Sequence, residues 1–273
     1  MGNHKRASGR LVMLVWILGL VVLWELGAFY MGSVKRTPEN VLPHLWQIGE
    51  SVLSQKPVSS GQTALQIVLV SARDTLLRAF TGFLIGMVAG FALALLMKLS
   101  RVVEQITFPY LMIIQMIPIL GMAPIVLAIT HDIGRSRIAI AAILTFYPVC
   151  ANTLAGFKAV EQEKLDFMFL CAASKVQVYL KTLIPAAIPY FFTGLKISAP
   201  MAITASILVD TLQGDGGLGC MLSQSLKHAM SIYVFWQIVF FSAALGILSS
   251  WLMGRLEQKF SPWKRFVHTE GEQ

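Results

Sequence analysis

The residues of this chain that could do chemistry are polar side chains set in or at the ends of long apolar segments. Asp210 ends one such segment, Thr204 and Ser206 lie inside the same segment, and Gln115 and Asn152 lie inside two others. A polar group inside a membrane faces a protein interior or a water-filled route, because hydrocarbon offers it no partner. These residues are therefore candidates for lining a solute pathway, and hydrogen bonding between helices explains them equally well.

A second candidate is the backbone of a proline-rich segment. Pro118 lies between Pro109 and Pro124, and Gly121 follows it. Proline removes an amide donor and clashes with the preceding helical turn, so a helix here is expected to kink or unwind. Open backbone groups inside a membrane are tolerated only against protein or water. We predict either a pathway beside Pro118 or a kink that only shapes packing.

Three motifs that would give the chain its own chemistry are absent from its sequence. It has no Gly-x-x-x-x-Gly-Lys-Ser/Thr phosphate loop, no His-Glu-x-x-His zinc helix and no Gly-x-Ser-x-Gly nucleophile turn. The histidines are scattered and the cysteines are widely spaced. We therefore expect no catalytic residue, no metal site and no cofactor in this chain.

The composition is that of a membrane protein. Hydrophobic residues make up 56% of the chain and charged residues only 13%, which is far from a soluble composition. The net charge of +8 would suit nucleic acid in a soluble domain. Here the basic residues cluster at the ends of apolar segments rather than on one polar face, which argues against nucleic acid as a partner.

About six segments are long and apolar enough to cross a lipid bilayer, which takes about 20 residues. We predict an all-α integral membrane protein with residues 1–10 as its N-terminal segment, residues 11–260 as one transmembrane domain and residues 261–273 as a C-terminal tail. Residues 63–77 are amphipathic and are expected to lead into the second span as an interfacial or extended helix. The predicted spans are residues 11–31, 77–97, 106–130, 136–157, 187–209 and 232–253.

The distribution of basic residues predicts that both termini are cytoplasmic. Cytoplasmic loops carry an excess of Lys and Arg, and this orientation places 13 such residues inside and eight outside. An even number of spans puts both termini on the same side. The eight outer residues are Lys35, Arg36, Lys56, Arg73, Arg78, Arg135, Arg137 and Lys227.

Two further features lie within the spans. Gly82, Gly86 and Gly90 recur every four residues on one helical face, which predicts close packing of helix backbones. Lys196 lies about two turns into the fifth span. Its long side chain is expected to reach the cytoplasmic edge of the membrane, with contact to a solute as the alternative.

The cytoplasmic loop at about residues 158–182 is charged and amphipathic. Phe167, Phe169 and Leu170 give it an apolar face flanked by acidic and basic residues. Left alone, this face would be an exposed apolar patch on a cytoplasmic surface. We predict a short helix that lies in a groove of another protein, with a helix lying on the lipid surface as the alternative.

The motifs around this loop resemble those of a known family. In the loop, the run begins with Asp166, Phe167 and Met168, continues with Ala172, Ala173 and Ser174, and ends with Ile184 and Pro185. The flanking runs are residues 148–156, 189–196, 216–219 and 261–263. In this order and spacing, they resemble the inner-membrane permeases of binding-protein-dependent ABC importers, in the branch that serves nitrate, sulfonates, taurine and thiamine or flavin precursors. Ala172 stands where the family has glycine, which predicts an altered turn.

The resemblance implies the architecture of a type I ABC importer permease in a bacterial inner membrane. Its expected partners are an ABC ATPase dimer, an extracytoplasmic solute-binding protein and a second copy of the chain, and the ATPase would bind ATP and Mg²⁺. The region of residues 213–219 would face the binding protein and the pore mouth. Asp210 would form an outer gate or a binding-protein contact, or simply a solvated helix end. The residues that would couple the chain to the ATPase are Asp166, Phe167, Met168, Ala172, Ala173, Ser174, Lys175 and Pro185.

A secondary transporter driven by an ion gradient is the alternative from another class. Such a protein is expected to show inverted repeats and several carboxylates near the middle of the membrane. The sequence shows neither clearly. We therefore predict that the chain forms the pathway of an ATP-driven importer, with Gln115, Pro118, Asn152, Thr204, Ser206 and Asp210 as candidate lining residues.

Overall fold

A computed structural model describes residues 2–54, 56–59, 61–213, 216–227 and 231–261. Within these residues the fold is almost entirely helical, as predicted, and the small sheet is one antiparallel pair with Pro57 opposite Thr63. The elements are α1 (Gly2–Val34), a 3₁₀ turn (Pro38–Asn40), α2 (Leu45–Leu53), β1 (Pro57–Ser59), β2 (Gln62–Thr63), α3 (Ala64–Leu99), α4 (Arg101–Met116), α5 (Ile119–Thr130), α6 (Ile133–Lys158), α7 (Gln162–Leu170), α8 (Lys175–Val178), a π turn (Tyr179–Leu183), α9 (Ile184–Gln213), α10 (Leu218–Leu226) and α11 (Ile232–Phe260).

Five described helical segments are long and apolar enough to cross a membrane, and a bent pair of helices raises the number to six. This agrees with the predicted count of spans. The second span is longer than predicted, because α3 begins at Ala64 and continues without a break through the rest of the amphipathic stretch of residues 63–77. The predicted extension of that span as a helix is thus confirmed.

The third predicted span is the bent pair. Helix α4 ends at Met116, α5 begins at Ile119, and the two helices are bent by 112°. Pro118 is the N-cap of α5 in an extended conformation and has no amide hydrogen to continue the ladder of α4. The predicted interruption at this proline is confirmed.

The chain divides into two compact units. The first comprises residues 1–69 and 221–239, and there the indole Nε1 of Trp24 donates to the carbonyl of Pro43 over 3.0 Å. The rings of Trp24 and Trp236 also meet edge to face at 4.7 Å. These contacts tie α1 to the segment before α2 and to the start of α11.

The second unit comprises residues 70–220 and 240–273, and in it α6 packs against α4, α5 and α9. A Cβ atom on Gly82 of α3 would lie 2.6 Å from the Cβ of Ala141, and one on Gly90 would lie 2.7 Å from the carbonyl oxygen of Phe146. On α9, a Cβ on Gly194 would lie 2.8 Å from the carbonyl oxygen of Pro148. The glycine stripe therefore serves close packing, as predicted.

Candidate functional site

The loop predicted to couple the chain to a partner consists of α7, a tight turn and α8. Ala172 in the turn has φ 52°, and the amide of Ala173 donates to the carbonyl of Met168 over 3.0 Å. This is the left-handed C-terminal motif that usually contains glycine. The expectation of an altered turn was therefore wrong: alanine takes the left-handed conformation, at a cost of roughly 1–2 kcal/mol.

Helix α8 begins with a capping box. The hydroxyl of Ser174 accepts from the amide of Gln177 over 3.3 Å, and the side chain of Gln177 accepts from the amide of Ser174 over 2.8 Å. These bonds satisfy two backbone donors that an isolated helix start would leave open. The two short helices are thus joined by a defined turn rather than by a loose loop.

The outer face of this segment is apolar and exposed. The exposed fractions of Phe167, Phe169 and Leu170 are 64%, 81% and 83%, and Val176 is 65% exposed. Of the other predicted coupling residues, Asp166, Ala172, Ser174 and Lys175 are exposed, whereas Met168, Ala173 and Pro185 are half-buried. We call the face formed by Phe167, Phe169, Leu170 and Val176 the coupling face.

The inner face of the same segment is anchored to the helices of the second unit. Leu165, Val178 and Tyr179 pack against a buried cluster that includes Phe157 and Leu183. The ammonium group of Lys158, at the end of α6, pairs with Glu104. The segment therefore has one face held by its own chain and one face without a partner within the described residues.

Asp210 lies in a buried polar cluster, which we call the Asp210 knot. Its carboxylate accepts from the hydroxyl of Thr75 over 2.7 Å and pairs with Arg137 at 2.9 Å and Arg78 at 3.6 Å. The Thr75 hydroxyl in turn accepts from the amide of Leu218 over 2.9 Å. One carboxylate thus joins α3, α6, α9 and the start of α10.

The knot corrects two sequence-based expectations. Asp210 and Arg137 are both 0% exposed, so Asp210 is not a solvated helix end and Arg137 is not an outer loop residue. The hydroxyl of Ser206 also enters the cluster, where it donates to the carbonyl of Thr75 over 3.3 Å. The sequence did not reveal that Arg78 and Arg137 pair with Asp210. The count of basic residues assigns each one near the end of a span to a loop, and it therefore treats these arginines as exposed.

The other candidate pathway residues are not joined to the knot by any hydrogen bond between described residues. Gln115 and Thr204 are exposed, Asn152 is half-buried, and Pro118 lies exposed at the break between α4 and α5. Thr204 and Asn152 donate to carbonyls of their own helix, those of Pro200 and Pro148, over 3.0 and 2.8 Å. A hydrogen bond between helices therefore accounts for the polar side chain of Ser206 inside a span. It does not account for those of Asn152 and Thr204.

Lys196 also has a partner that the sequence did not suggest. Its ammonium group pairs with Glu257 of α11, which is 6% exposed. That Lys196 reaches the cytoplasmic edge of the membrane stays a prediction. The charge of Lys196 in the fifth span is neutralised by Glu257 of the last span.

The glycine-rich region of residues 213–219 is described in part. Gly216 and Gly217 have φ of 69° and 91°, so the helix does not continue through them, as predicted. Gly214 and Asp215 lie outside the described residues, as do His228, Pro262, Trp263 and the rest of the predicted C-terminal tail.

Most of these helices lie in a part of the sequence that matches a known protein family. Residues 82–262 match the family "binding-protein-dependent transport system inner membrane component". The chain belongs to this family. It is a multi-pass inner-membrane permease subunit of an ABC importer, so the predicted resemblance is confirmed and the secondary-transporter alternative is set aside. Membership implies a solute-binding protein and an ATPase as partners.

Curated relatives are similar over nearly their whole length. The formylaminopyrimidine transport permease protein ThiX of Halalkalibacterium halodurans is 28% identical over 96% of this chain and 99% of its own length. The nitrate import permease protein NrtB of Leptolyngbya laminosa is 28% identical over 89% of this chain and 85% of its own. The putative aliphatic sulfonates transport permease protein SsuC of Bacillus subtilis is 25% identical over 82% and 85%.

Solved structures confirm the type I importer permease fold. A chain of the MetNI methionine ABC transporter in an inward-facing conformation superimposes with a TM-score of 0.61 at 18% identity, covering 72% of this chain and 97% of that one. A chain of an amino acid ABC transporter crystallised with histidines gives a TM-score of 0.58 at 18% identity, covering 72% and 94%.

Proposed function

We propose that this chain, as a homodimer, forms the translocation pathway of an importer that is driven by a separate ATPase and supplied by a solute-binding protein. The observation that carries the proposal is the coupling face, whose aromatic and aliphatic side chains are exposed on a segment with its other face anchored. An apolar helical face of this kind fits a groove in a partner protein. Each chain carries one such segment, and an ATPase dimer offers two grooves, which supports a dimer of the permease.

The residues proposed for coupling remain Asp166, Phe167, Met168, Ala172, Ala173, Ser174, Lys175 and Pro185. The partner would bind ATP and Mg²⁺, because this sequence lacks the phosphate loop that would hold them. Closure of the ATPase around nucleotide would then move the coupling segment as a rigid body. No cofactor is proposed for this chain.

Both termini are proposed to be cytoplasmic. Arg78 and Arg137 pair with Asp210 inside the protein. Removing these two from the eight basic residues assigned outside leaves six, against 13 inside. The bias toward a cytoplasmic N-terminus is therefore stronger than the sequence count alone indicates.

The solute is proposed to be a small organic molecule of the aminopyrimidine type. The relative named for formylaminopyrimidine matches 96% of this chain, a larger share than the 89% matched by the nitrate permease. The two charged residues of the fifth span, Lys196 and Asp210, are both in ion pairs. Neither presents a free charge that would hold an inorganic anion in the pathway.

Transport in proteoliposomes tests the proposed function. The permease, a cognate ATPase and a solute-binding protein are reconstituted with ATP and without ion gradients, and uptake of a radiolabelled aminopyrimidine is measured. Uptake is expected only when the ATPase and ATP are both present. Uptake by the permease alone in an ion gradient would contradict the proposal.

A further inference from the structure

The first unit contains a cavity, lined by both polar and apolar groups, that the importer mechanism does not use. Its volume is about 340 Å³, at the small end of the range of about 300–1,000 Å³ typical of ligand sites. It lies beside α2, the hairpin and the start of α11. It is lined by Trp46, Gln47, Glu50, Ser51, Ser54, Lys56, Val58, Ala64, Ser231 and Tyr233.

The helix that forms one wall of this cavity is held in place from both ends. At its start, the carboxylate of Glu25 accepts from His44 Nδ1 over 2.6 Å and from the amide of Leu45 over 2.8 Å. Further along, the side-chain amide of Gln237 donates to the hydroxyl of Ser51 over 2.8 Å. A wall fixed in this way loses little freedom when a ligand binds.

Two charged side chains, Glu50 and Lys56, line the cavity. The carboxylate of Glu50 and the ammonium group of Lys56 form no ion pair and no hydrogen bond within the part of the chain that the structure describes. Glu39 lies close by, where it accepts from the hydroxyl of Tyr233 over 2.8 Å. Glu39, Glu50 and Lys56 together carry a net charge of −1, which disfavours a simple anion, whereas a solute with an amino group would find an acceptor in Glu50 and a donor in Lys56.

An aromatic ring completes the cavity. Trp46 is 63% exposed, and its ring lies nearly parallel to that of His44, with the ring centres 6.2 Å apart. Tyr233 lies on the cavity wall as well. Exposed tryptophan and tyrosine rings offer flat faces on which a heteroaromatic ring can stack.

We propose that this cavity is a receiving site for a small planar solute that carries an amino group on a heteroaromatic ring. Trp46 would stack on the ring, Glu50 would accept from the amino group, and Lys56 would donate to a ring nitrogen or carbonyl. The inference rests on the proposed function, under which the segment between α1 and α3 is on the outer side of the membrane. The family match begins at residue 82, so the lining residues Trp46, Glu50 and Lys56 lie outside the shared family segment.

The test measures binding of an aminopyrimidine to the full-length permease in lipid nanodiscs by isothermal titration calorimetry. Pyrimidine without the amino group and sodium nitrate serve as comparison ligands. We expect the aminopyrimidine to bind at least about tenfold more tightly than either, the effect of one charge-assisted hydrogen bond. Equal affinities for all three, or no binding, would overturn the proposal.

Variants locate the site. Glu50→Gln and Trp46→Ala are each expected to weaken aminopyrimidine binding about tenfold, and Trp46→Phe should retain most of it because a ring remains. Glu163→Gln, which changes an exposed carboxylate of α7, should leave affinity unchanged. Unaltered affinity in Glu50→Gln and Trp46→Ala would contradict the assignment.

Two further outcomes separate this inference from its alternatives. If the variants weaken binding of the solute-binding protein to the nanodiscs and leave solute affinity intact, the cavity is a docking surface and the proposal fails. If the wild-type reconstituted importer shows ATP-dependent uptake while the solute never binds the cavity, this inference fails and the proposed function stands.

Discussion

The Asp210 knot and the coupling face reverse the usual placement of charge and apolar surface. In the knot, Asp210 and Arg137 are fully buried. On the coupling face, Phe169 and Leu170 are more than 80% exposed. The charged groups of the knot pair with residues of the same chain. The outer side of the coupling face has no partner within the part of the chain that the structure describes. The knot is therefore satisfied by its own chain, whereas the coupling face leaves large apolar side chains exposed.

The physical costs explain the difference. Removing a carboxylate from water is costly unless a counter-charge and hydrogen bonds replace the solvent, and Thr75, Arg78 and Arg137 supply them. Exposed apolar side chains cost less, but they promote association with any surface that can cover them. Changes in the knot should therefore affect folding, and changes on the coupling face should affect assembly.

The largest expected effect comes from breaking the knot at its carboxylate. Asp210→Asn removes the carboxylate charge that pairs with the buried guanidinium of Arg137, which should destabilise the permease by about 3–5 kcal/mol. Thermal unfolding of the purified protein in detergent measures the change. Asp74→Asn, on the exposed side of α3, should change stability by less than about 0.5 kcal/mol.

A compensating variant makes this test sharper. Replacing both Asp210 and Arg137 with leucine removes the two fully buried charges together, so part of the lost stability should return, although Arg78 and Thr75 also lose the carboxylate as a partner. A double variant as unstable as Asp210→Asn would show that the knot does not act through charge pairing.

The next effect is expected on the coupling face. Phe169→Asp combined with Leu170→Asp should weaken association with the ATPase by about 2–4 kcal/mol, the size expected for central apolar contacts of an interface. Co-purification with the ATPase and ATP-dependent uptake should both be lost, and thermal stability of the permease should stay within about 0.5 kcal/mol of the wild type.

A polar variant of the same helix provides the control. Glu163→Gln changes an exposed residue of α7 outside the coupling face and should leave ATPase association intact. Retention of the ATPase by the double Asp variant would mean that the exposed face is not the site of coupling.

A smaller effect distinguishes the two arginines of the knot. Arg78 is 3.6 Å from Asp210 and its side chain is 23% exposed, whereas Arg137 is at 2.9 Å and fully buried. Arg78→Gln should therefore cost about 1 kcal/mol, less than Arg137→Gln. Thermal unfolding of the two variants side by side checks the order, and equal losses would contradict it.

The smallest expected effect concerns the turn that presents the coupling face. Ala172→Gly removes the left-handed strain of alanine, although glycine also gains freedom in the unfolded state, so a net stabilisation of about 0.5–1 kcal/mol is expected. Ala172→Val should destabilise the turn. Hydrogen exchange of the Cys171–Ser174 amides measures the stability of the turn in both variants. Greater protection in Ala172→Val than in the wild type would contradict the claim that residue 172 is strained.

Much of the fold could be read from the sequence because its signals are local. Apolar runs of about 20 residues predict the spans, proline at residue 118 predicts the break in the third span, and the spacing of Gly82, Gly86 and Gly90 predicts a packing face. The ends of the spans were predicted less accurately. Helix α3 extends to Ala64, since an amphipathic start carries no sharp apolar boundary.

The candidate site was predicted only where its chemistry is continuous in sequence. The pattern of residues 158–182 predicts an amphipathic segment, and the exposure of Phe167, Phe169 and Leu170 agrees with that prediction. The turn at Ala172 was misjudged, because residue type suggests a conformational preference and tertiary anchoring on both sides can override it.

By itself, the sequence determined the membrane class, the family and the apolar face of the coupling segment, because each follows from residue types along a short stretch of chain. Only the tertiary structure decided that Asp210 pairs with Arg137, that Lys196 pairs with Glu257 and that Trp46, Glu50 and Tyr233 share one cavity. Such pairings join residues dozens to nearly two hundred positions apart, and the packing of whole helices fixes which charges meet.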